Sequence, residues 1–200
     1  MNPPDSRIAR EAPLNSSCVT VYKTSLRSAL RAARRALTDE QRSDAAEKIG
    51  LQVMNWVARC AIKTLAVYSP LRDEPDLTTT WVALAASGVA LALPIIVAND
   101  APLCFVAWQP GQPMVRDAYG VAIPALPHRS ITPEALCIPC LGITPQRMRL
   151  GYGGGFYDRT LAVLPSVTSV GIAFDCCKTE FEAQTHDIAL HVVITESTVF

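Results

Sequence analysis

The chain has no excess of charge of either sign: 18 lysines and arginines balance 18 aspartates and glutamates over 200 residues. A domain that holds nucleic acid through its phosphates is normally basic as a whole, so this balance argues against that partner. Residues 1–20 contain no apolar run of the kind a secretory signal requires, and none is expected. Pro3, Pro4 and Pro13 mark that stretch as a loose tail, with 21–200 as one domain. Repeats and low-complexity segments are absent, as is any linker that would divide the chain. Long uninterrupted apolar runs are missing too. Trp81 to Ala98 comes nearest, but Ser87-Gly88 and Pro94 divide it and no basic residues flank it. A helix, a turn and a buried strand account for that stretch, so no membrane partner is expected. The seven cysteines are an odd number scattered through apolar runs, with Cys104 and Cys137 inside expected strands. They read as reduced, buried thiols of a cytoplasmic protein, not as a disulfide framework. Cys137-Ile-Pro-Cys140 has CxxC spacing, with Cys176-Cys177 downstream. Its strand-like context and proline are unlike the turns that carry zinc ligands.

What the chain has in quantity is apolar side chains, 50% of residues, which excludes the disordered class. Its length allows a sizeable core. The spacing of Leu26, Leu30, Ala33 and Leu37 predicts a first helix over Ser25–Leu37. Lys23, Arg27, Arg31 and Arg34 fall on an adjacent face, with Arg35 at the edge, if the helix starts early enough to include Lys23. Thr38-x-x-Gln41 is a capping box that opens a second helix running to Arg59, with Ile49, Val53, Trp56 and Val57 on its core side. A strand over Thr64–Ser69 ends at Pro70, and a third helix covers Leu77–Ala86. Strands follow at Val89–Pro94 and Leu103–Trp108, then mostly loop from Gln109 to Pro133. Ala135–Leu141, Val167–Phe174 and His191–Thr195 complete the strands, with a helix over Tyr157–Leu164 between the first two. Alternating strands and helices, with strands apolar on both faces, predict an α/β domain with a largely parallel sheet.

Glycine is scarce, 10 residues in all, yet four of them fall at 151, 153, 154 and 155. The stretch reads Arg149-Leu150-Gly151-Tyr152-Gly153-Gly154-Gly155-Phe156-Tyr157-Asp158. Glycines before a helix free a run of backbone N–H groups for an anion. Arginine, tyrosines and a carboxylate beside them are parts for phosphates, a flat ligand and a metal ion. A plain turn between strand and helix is the competing explanation. Ligands of open α/β sheets bind at the carboxyl ends of strands. Asp73-Glu74, the glycine loop, and the segment from Asp175 to His186-Asp187 all follow expected strands, so they can share one pocket. Lys23, Arg27 and Arg149 suit phosphates, and Asp158 and Asp187 suit Mg2+, which binds through few carboxylates. Glu74 can hold the polar end of an organic substrate, and Tyr152, Phe156 and Tyr157 its flat part. Each has a plainer explanation: solvated helix face, helix-dipole carboxylate, turn, loop surface or core.

In this order and spacing, Lys23-x-x-Leu26-Arg27, Tyr68, Asp73-Glu74, Leu93-Pro94, Arg149 to Asp158, Gly171-Ile-Ala-Phe174 and His186-Asp187 resemble the 5-formyltetrahydrofolate cyclo-ligase (5,10-methenyltetrahydrofolate synthetase) family. The resemblance spans roughly Tyr22 to Glu196 and is most specific in the glycine loop. It implies a three-layer α/β/α domain, similar to the ribose-5-phosphate isomerase and CoA-transferase group. It also implies the reaction: ATP, with Mg2+, converts 5-formyltetrahydrofolate to 5,10-methenyltetrahydrofolate, ADP and phosphate. The formyl oxygen attacks the γ-phosphate, and N10 then attacks the activated carbon and expels phosphate. Carried over, Lys23 and Arg27 bind ATP phosphates. Arg149, Leu150, Gly151, Tyr152, Gly153, Gly154, Gly155, Phe156 and Tyr157 form the nucleotide loop. Tyr152 to Phe156 also touch the folate, Glu74 bonds the pterin, and Asp158 and Asp187 are the Mg2+ carboxylates. Arg31 and Arg34 remain as partners for a folate glutamate tail. The protein is expected as a monomer or small homo-oligomer in the cytoplasm.

The chain departs from the family pattern in places. Pro139-Cys140-Leu-Gly-Ile143-Thr144 stands where Pro-Gly, an aromatic and, at Thr144, an Asp that orders the loop are usual. Ile123 stands where many members carry Glu, and Gly154 where some carry Lys, though glycine at 154 is also common in the family. Thr144 and Ile123 leave open a relative that binds nucleotide or folate without turnover. A different enzyme on the same scaffold, acting on a phosphorylated sugar or CoA ester, would not need both Asp158 and Asp187.

Overall fold

The computed structural model describes residues 16–185 and 187–200, with side chains from Val21 onward. Helix α1 (Ser16–Ala36) starts well before the expected Ser25, so it takes in the last part of the stretch read as a tail. The rest of that tail lies outside the described residues, as does His186. Helix α2 (Asp39–Arg59) begins where the capping box puts it. Thr38 Oγ1 accepts from Gln41 N at 3.1 Å and Gln41 Oε1 accepts from Thr38 N at 2.8 Å. Such a cap contributes about 1 kcal/mol.

Next come β1 (Thr64–Ala66), α3 (Thr78–Ala86), β2 (Ala90–Ile95) and β3 (Cys104–Trp108). Helices α2 and α3 cross closely at Gly50, where a Cβ would run into the Thr80 hydroxyl. The stretch from Gln109 to Pro133 is not all loop. It holds a hairpin of β4 (Met114–Arg116) and β5 (Ala122–Pro124), paired antiparallel. Its first strand is exposed throughout, so it carries no alternating pattern for the sequence to show. Ser69 Oγ ties the hairpin to the loop after β1 by donating to Ala122 O at 2.6 Å.

Strand β6 (Ala135–Pro139) is followed by a second small hairpin, β7 (Gly142–Ile143) and β8 (Arg149–Leu150). Helix α4 (Phe156–Val163), β9 (Thr168–Ile172), a single 3-10 turn at Asp175–Cys177 and β10 (Val192–Ile194) complete the chain. Six strands form one sheet in the order β10-β9-β6-β1-β2-β3. All neighbours are parallel except β3, which runs antiparallel at the edge. This is the expected α/β architecture with a largely parallel sheet. Leu65, Ala66, Leu136, Cys137 and Ile138 are all buried, so β1 and β6 are covered on both faces. Fully burying such a side chain contributes about 1.5–3 kcal/mol. Cys137 is buried as expected, whereas Cys104, the first residue of the edge strand, is exposed. Among the described residues, no helix is long and apolar enough to cross a membrane.

Candidate active site

Strands β1 and β6 lie side by side, but the chain leaves them in opposite directions. β1 leads through α3 to β2, and β6 leads through α4 to β9. A switch point of this kind opens a crevice beyond the carboxyl ends of the two strands. The loop after β1 delivers Glu74 there, and the loop after β8 delivers Tyr152. The Tyr152 hydroxyl donates to Glu74 Oε1 at 2.7 Å, while Leu71 N donates to Oε2 at 2.8 Å. Glu74 is buried, and burial raises its pKa against the pull of those two bonds and of Arg34.

Arg34 lies beneath this pair and is 1% exposed. Its Nη1 donates to the Tyr152 hydroxyl at 3.1 Å, its Nε to Cys177 Sγ at 3.1 Å, and its Nη2 to the Cys140 carbonyl. Burial would lower its pKa, but Cys177, Tyr152 and Glu74 together hold it above the ordinary value. A glutamate-tail partner would have to lie at the surface, so this position corrects that expectation for Arg34. Arg31 is exposed and holds its guanidinium over the Tyr152 ring, 5.4 Å from the centroid. The buried stripe of α1 runs Lys23, Leu30, Arg34, so cations and leucine share one face instead of adjacent ones. Leu30 packs on Leu141 and Leu150, which anchors the helix over the β7–β8 hairpin. Leu150 is thus a core side chain within the expected nucleotide loop.

The glycine loop enters α4 through Gly153 (φ 105°) and Gly155 (φ 65°), left-handed positions that favour glycine. Arg27 Nε donates to Gly151 O at 2.9 Å. Burial and the nearby Arg31 lower the Arg27 pKa. Arg149 Nη1 donates to Ile188 O at 2.9 Å, joining the glycine loop to the segment before β10. Its Nη2 lies 2.5 Å from Asp158 Oδ1, an ion pair without hydrogen-bond alignment. Lys23 Nζ lies 2.8 Å from Asp187 Oδ2, which also accepts from Gln184 N at 2.8 Å. Asp158 and Asp187 are therefore each matched to a cation from another element. Among the described residues, no group of three or more His, Cys, Asp and Glu side chains forms a metal cage. Two oxygen donors of this kind suit a cation that brings phosphates and waters as its remaining ligands, as Mg2+ does.

Phe156 packs edge-on against Tyr119 of the β4–β5 hairpin, with centroids 6.0 Å apart, so the missed hairpin borders the glycine loop. Tyr157 packs on the core, and burial, with Glu74 nearby, raises its pKa. A cavity of about 310 Å³ lies elsewhere, between Leu103, Phe105, Ile131 and Leu164, and touches none of these side chains.

The profile of the 5-formyltetrahydrofolate cyclo-ligase family matches residues 19–196. The chain belongs to that family. The cyclo-ligase of Escherichia coli K12 is 30% identical over 179 residues, spanning 86% of this chain and 98% of its own. That of Mycolicibacterium smegmatis is 31% identical over 187 residues, spanning 86% and 93%. The same fold recurs in the 5,10-methenyltetrahydrofolate synthetase from Aquifex aeolicus, with TM-score 0.75, 24% identity and coverage of 88% and 91%. Thr144, expected from the resemblance to stand in place of an Asp, closes its own turn through its hydroxyl. Thr144 is buried, and its Oγ1 accepts from Met148 N at 3.1 Å while its own N donates to Met148 O at 3.0 Å. The turn of the β7–β8 hairpin is closed without a carboxylate.

Proposed function

We propose that this cyclo-ligase family member uses ATP and Mg2+ to convert 5-formyltetrahydrofolate to 5,10-methenyltetrahydrofolate, releasing ADP and phosphate. The observation that carries the reading is the meeting of two unlike half-sites at the β1–β6 switch point. One is the buried carboxylate of Glu74 with the Tyr152 hydroxyl bonded to it, suited to the N–H groups of a pterin. The other is a glycine loop flanked by Lys23, Arg27 and Arg149, suited to phosphates. Glu74 receives the pterin, and Tyr152 to Phe156 border the folate on one side and the nucleotide on the other. Lys23 and Arg27 bind the ATP phosphates, and the Arg149–Tyr157 loop supplies backbone N–H groups to them. Asp158 and Asp187 would hold Mg2+, which neutralises phosphate charge when bound. With no protein nucleophile required, catalysis rests on placing the formyl oxygen in line with the γ-phosphate. The reading sets the enzyme in the cytoplasm, consistent with its scattered thiols.

The test is the fate of the formyl oxygen. With substrate labelled by oxygen-18 in the formyl group, the label is expected in the released phosphate. Label recovered in water with unlabelled phosphate would refute attack by the formyl oxygen on ATP.

A further inference from the structure

We propose that Arg34 is a positioning residue: it orients the Tyr152 hydroxyl so that Glu74 is held as a ready acceptor for the folate. The inference rests on the folate-binding reading of Glu74 and Tyr152 given above. A guanidinium has donors only, so the Tyr152 hydroxyl must accept from Arg34 Nη1. Its single proton is then directed to Glu74 Oε1. Arg34 and Glu74 form an ion pair bridged by a phenol, with both ends buried.

A buried guanidinium is costly unless its donors are satisfied. Here the Cys140 carbonyl after β6 and the Cys177 thiol after β9 take two of its branches, leaving the third for Tyr152. The carboxyl ends of two strands therefore fix the fork, and the fork fixes the tyrosine. Tyr152 stands in a glycine-rich loop that would otherwise place its ring loosely. With one acceptor site on each Glu74 oxygen filled, each oxygen keeps a lone pair for a ligand donor.

The charged and titratable groups facing Glu74 are Arg34 from α1, Tyr152 from the glycine loop, Tyr68 after β1 and Tyr157 of α4. Of these, Arg34 is the only cation, and its charge favours the ionised carboxylate. The adjacent Asp73 is held by Arg35 at 3.1 Å. The Tyr152 hydrogen bond, which Arg34 orients, also favours the ionised carboxylate, so losing the bridge moves the loss of folate affinity on acidification to higher pH.

The experiment compares wild type, Arg34→Lys, Tyr152→Phe and the double variant, with turnover of the wild type in the same assay checking the reading beneath. Lysine keeps a buried cation but cannot fork to three acceptors. Each single variant is expected to raise the folate KM about tenfold with the ATP KM changed less than about twofold. The double variant is expected to match the worse single one, because both cut the same bridge. The acid limb of kcat/KM for the folate is expected at higher pH in all three. Effects that multiply, equal changes in both KM values, or an unmoved acid limb would overturn the proposal. Should Arg34→Lys fail to fold, Tyr152→Phe alone decides it by the same pH profile. If wild type turns over and these predictions fail, the positioning role falls and the cyclo-ligase reading stands.

Discussion

Asp158 and Asp187 each meet a cation that arrives from a different part of the chain, and this pairing governs what their loss would do. Asp158→Asn removes the proposed Mg2+ donor and leaves Arg149 without its counter-ion. We expect kcat to fall on the order of a hundredfold or more, measured by methenyl formation at saturating substrates. Asp187→Asn leaves the Lys23 ammonium buried beside the neutral Gln184 amide. The expected cost is about 3 kcal/mol in urea unfolding, the scale for a nearly buried pair that loses one ion. Arg27→Ala removes a guanidinium held against the glycine loop at Gly151. It should raise the ATP KM about tenfold and leave the folate KM near wild type. With Glu74 as the proposed folate acceptor, it is expected to set the acid side of the pH profile. Burial sets its pKa above the ordinary carboxylate range, so protonation on acidification comes early and folate affinity falls there. Glu74→Gln should raise the folate KM and remove that acid limb, read from kcat/KM against pH.

At the scale of elements, the α2–α3 crossing makes a prediction that helix propensity alone would get backwards. Alanine normally stabilises a helix over glycine by about 1 kcal/mol. At Gly50 its Cβ would strike the Thr80 hydroxyl, so Gly50→Ala should lower stability by about 1–3 kcal/mol. Gly50→Ala combined with Thr80→Ala should recover most of the loss in thermal unfolding. The long elements were legible because each repeats a pattern: α2 has its capping box and core spacing, and β2 and β6 are mostly apolar runs. The two hairpins were not. β7 and β8 have two residues each, too few for a period, and β4 is exposed along its length. Arg34 was misplaced for a related reason. Its charge suggests solvent, but it stands four residues after Leu30, on the stripe that packs inward. A cation at that spacing was the available signal, and only the acceptors gathered from β6 and β9 show why it is tolerated.

For the molecule as a whole, the sheet order sets where chemistry can occur. Growth in opposite directions from β1 and β6 leaves one crevice at their carboxyl ends, with α1 laid over it from far away in sequence. Glu74, Tyr152 and Arg34 come from three such distant segments. The resemblance of Glu74 and Tyr152 to family positions was visible in the order of motifs, whereas Arg34 belonged to no such motif and the contact of the three was not visible. Thr144 shows the reverse case, a departure whose hydroxyl still closes the turn. The account is tested most directly by mixing the purified protein with Mg-ATP and 5-formyltetrahydrofolate and following the near-ultraviolet absorbance of the methenyl product. The account predicts a rise that needs both ATP and Mg2+ and that matches phosphate release one for one. No ATP-dependent rise, with the protein folded and ATP present in excess, would contradict it.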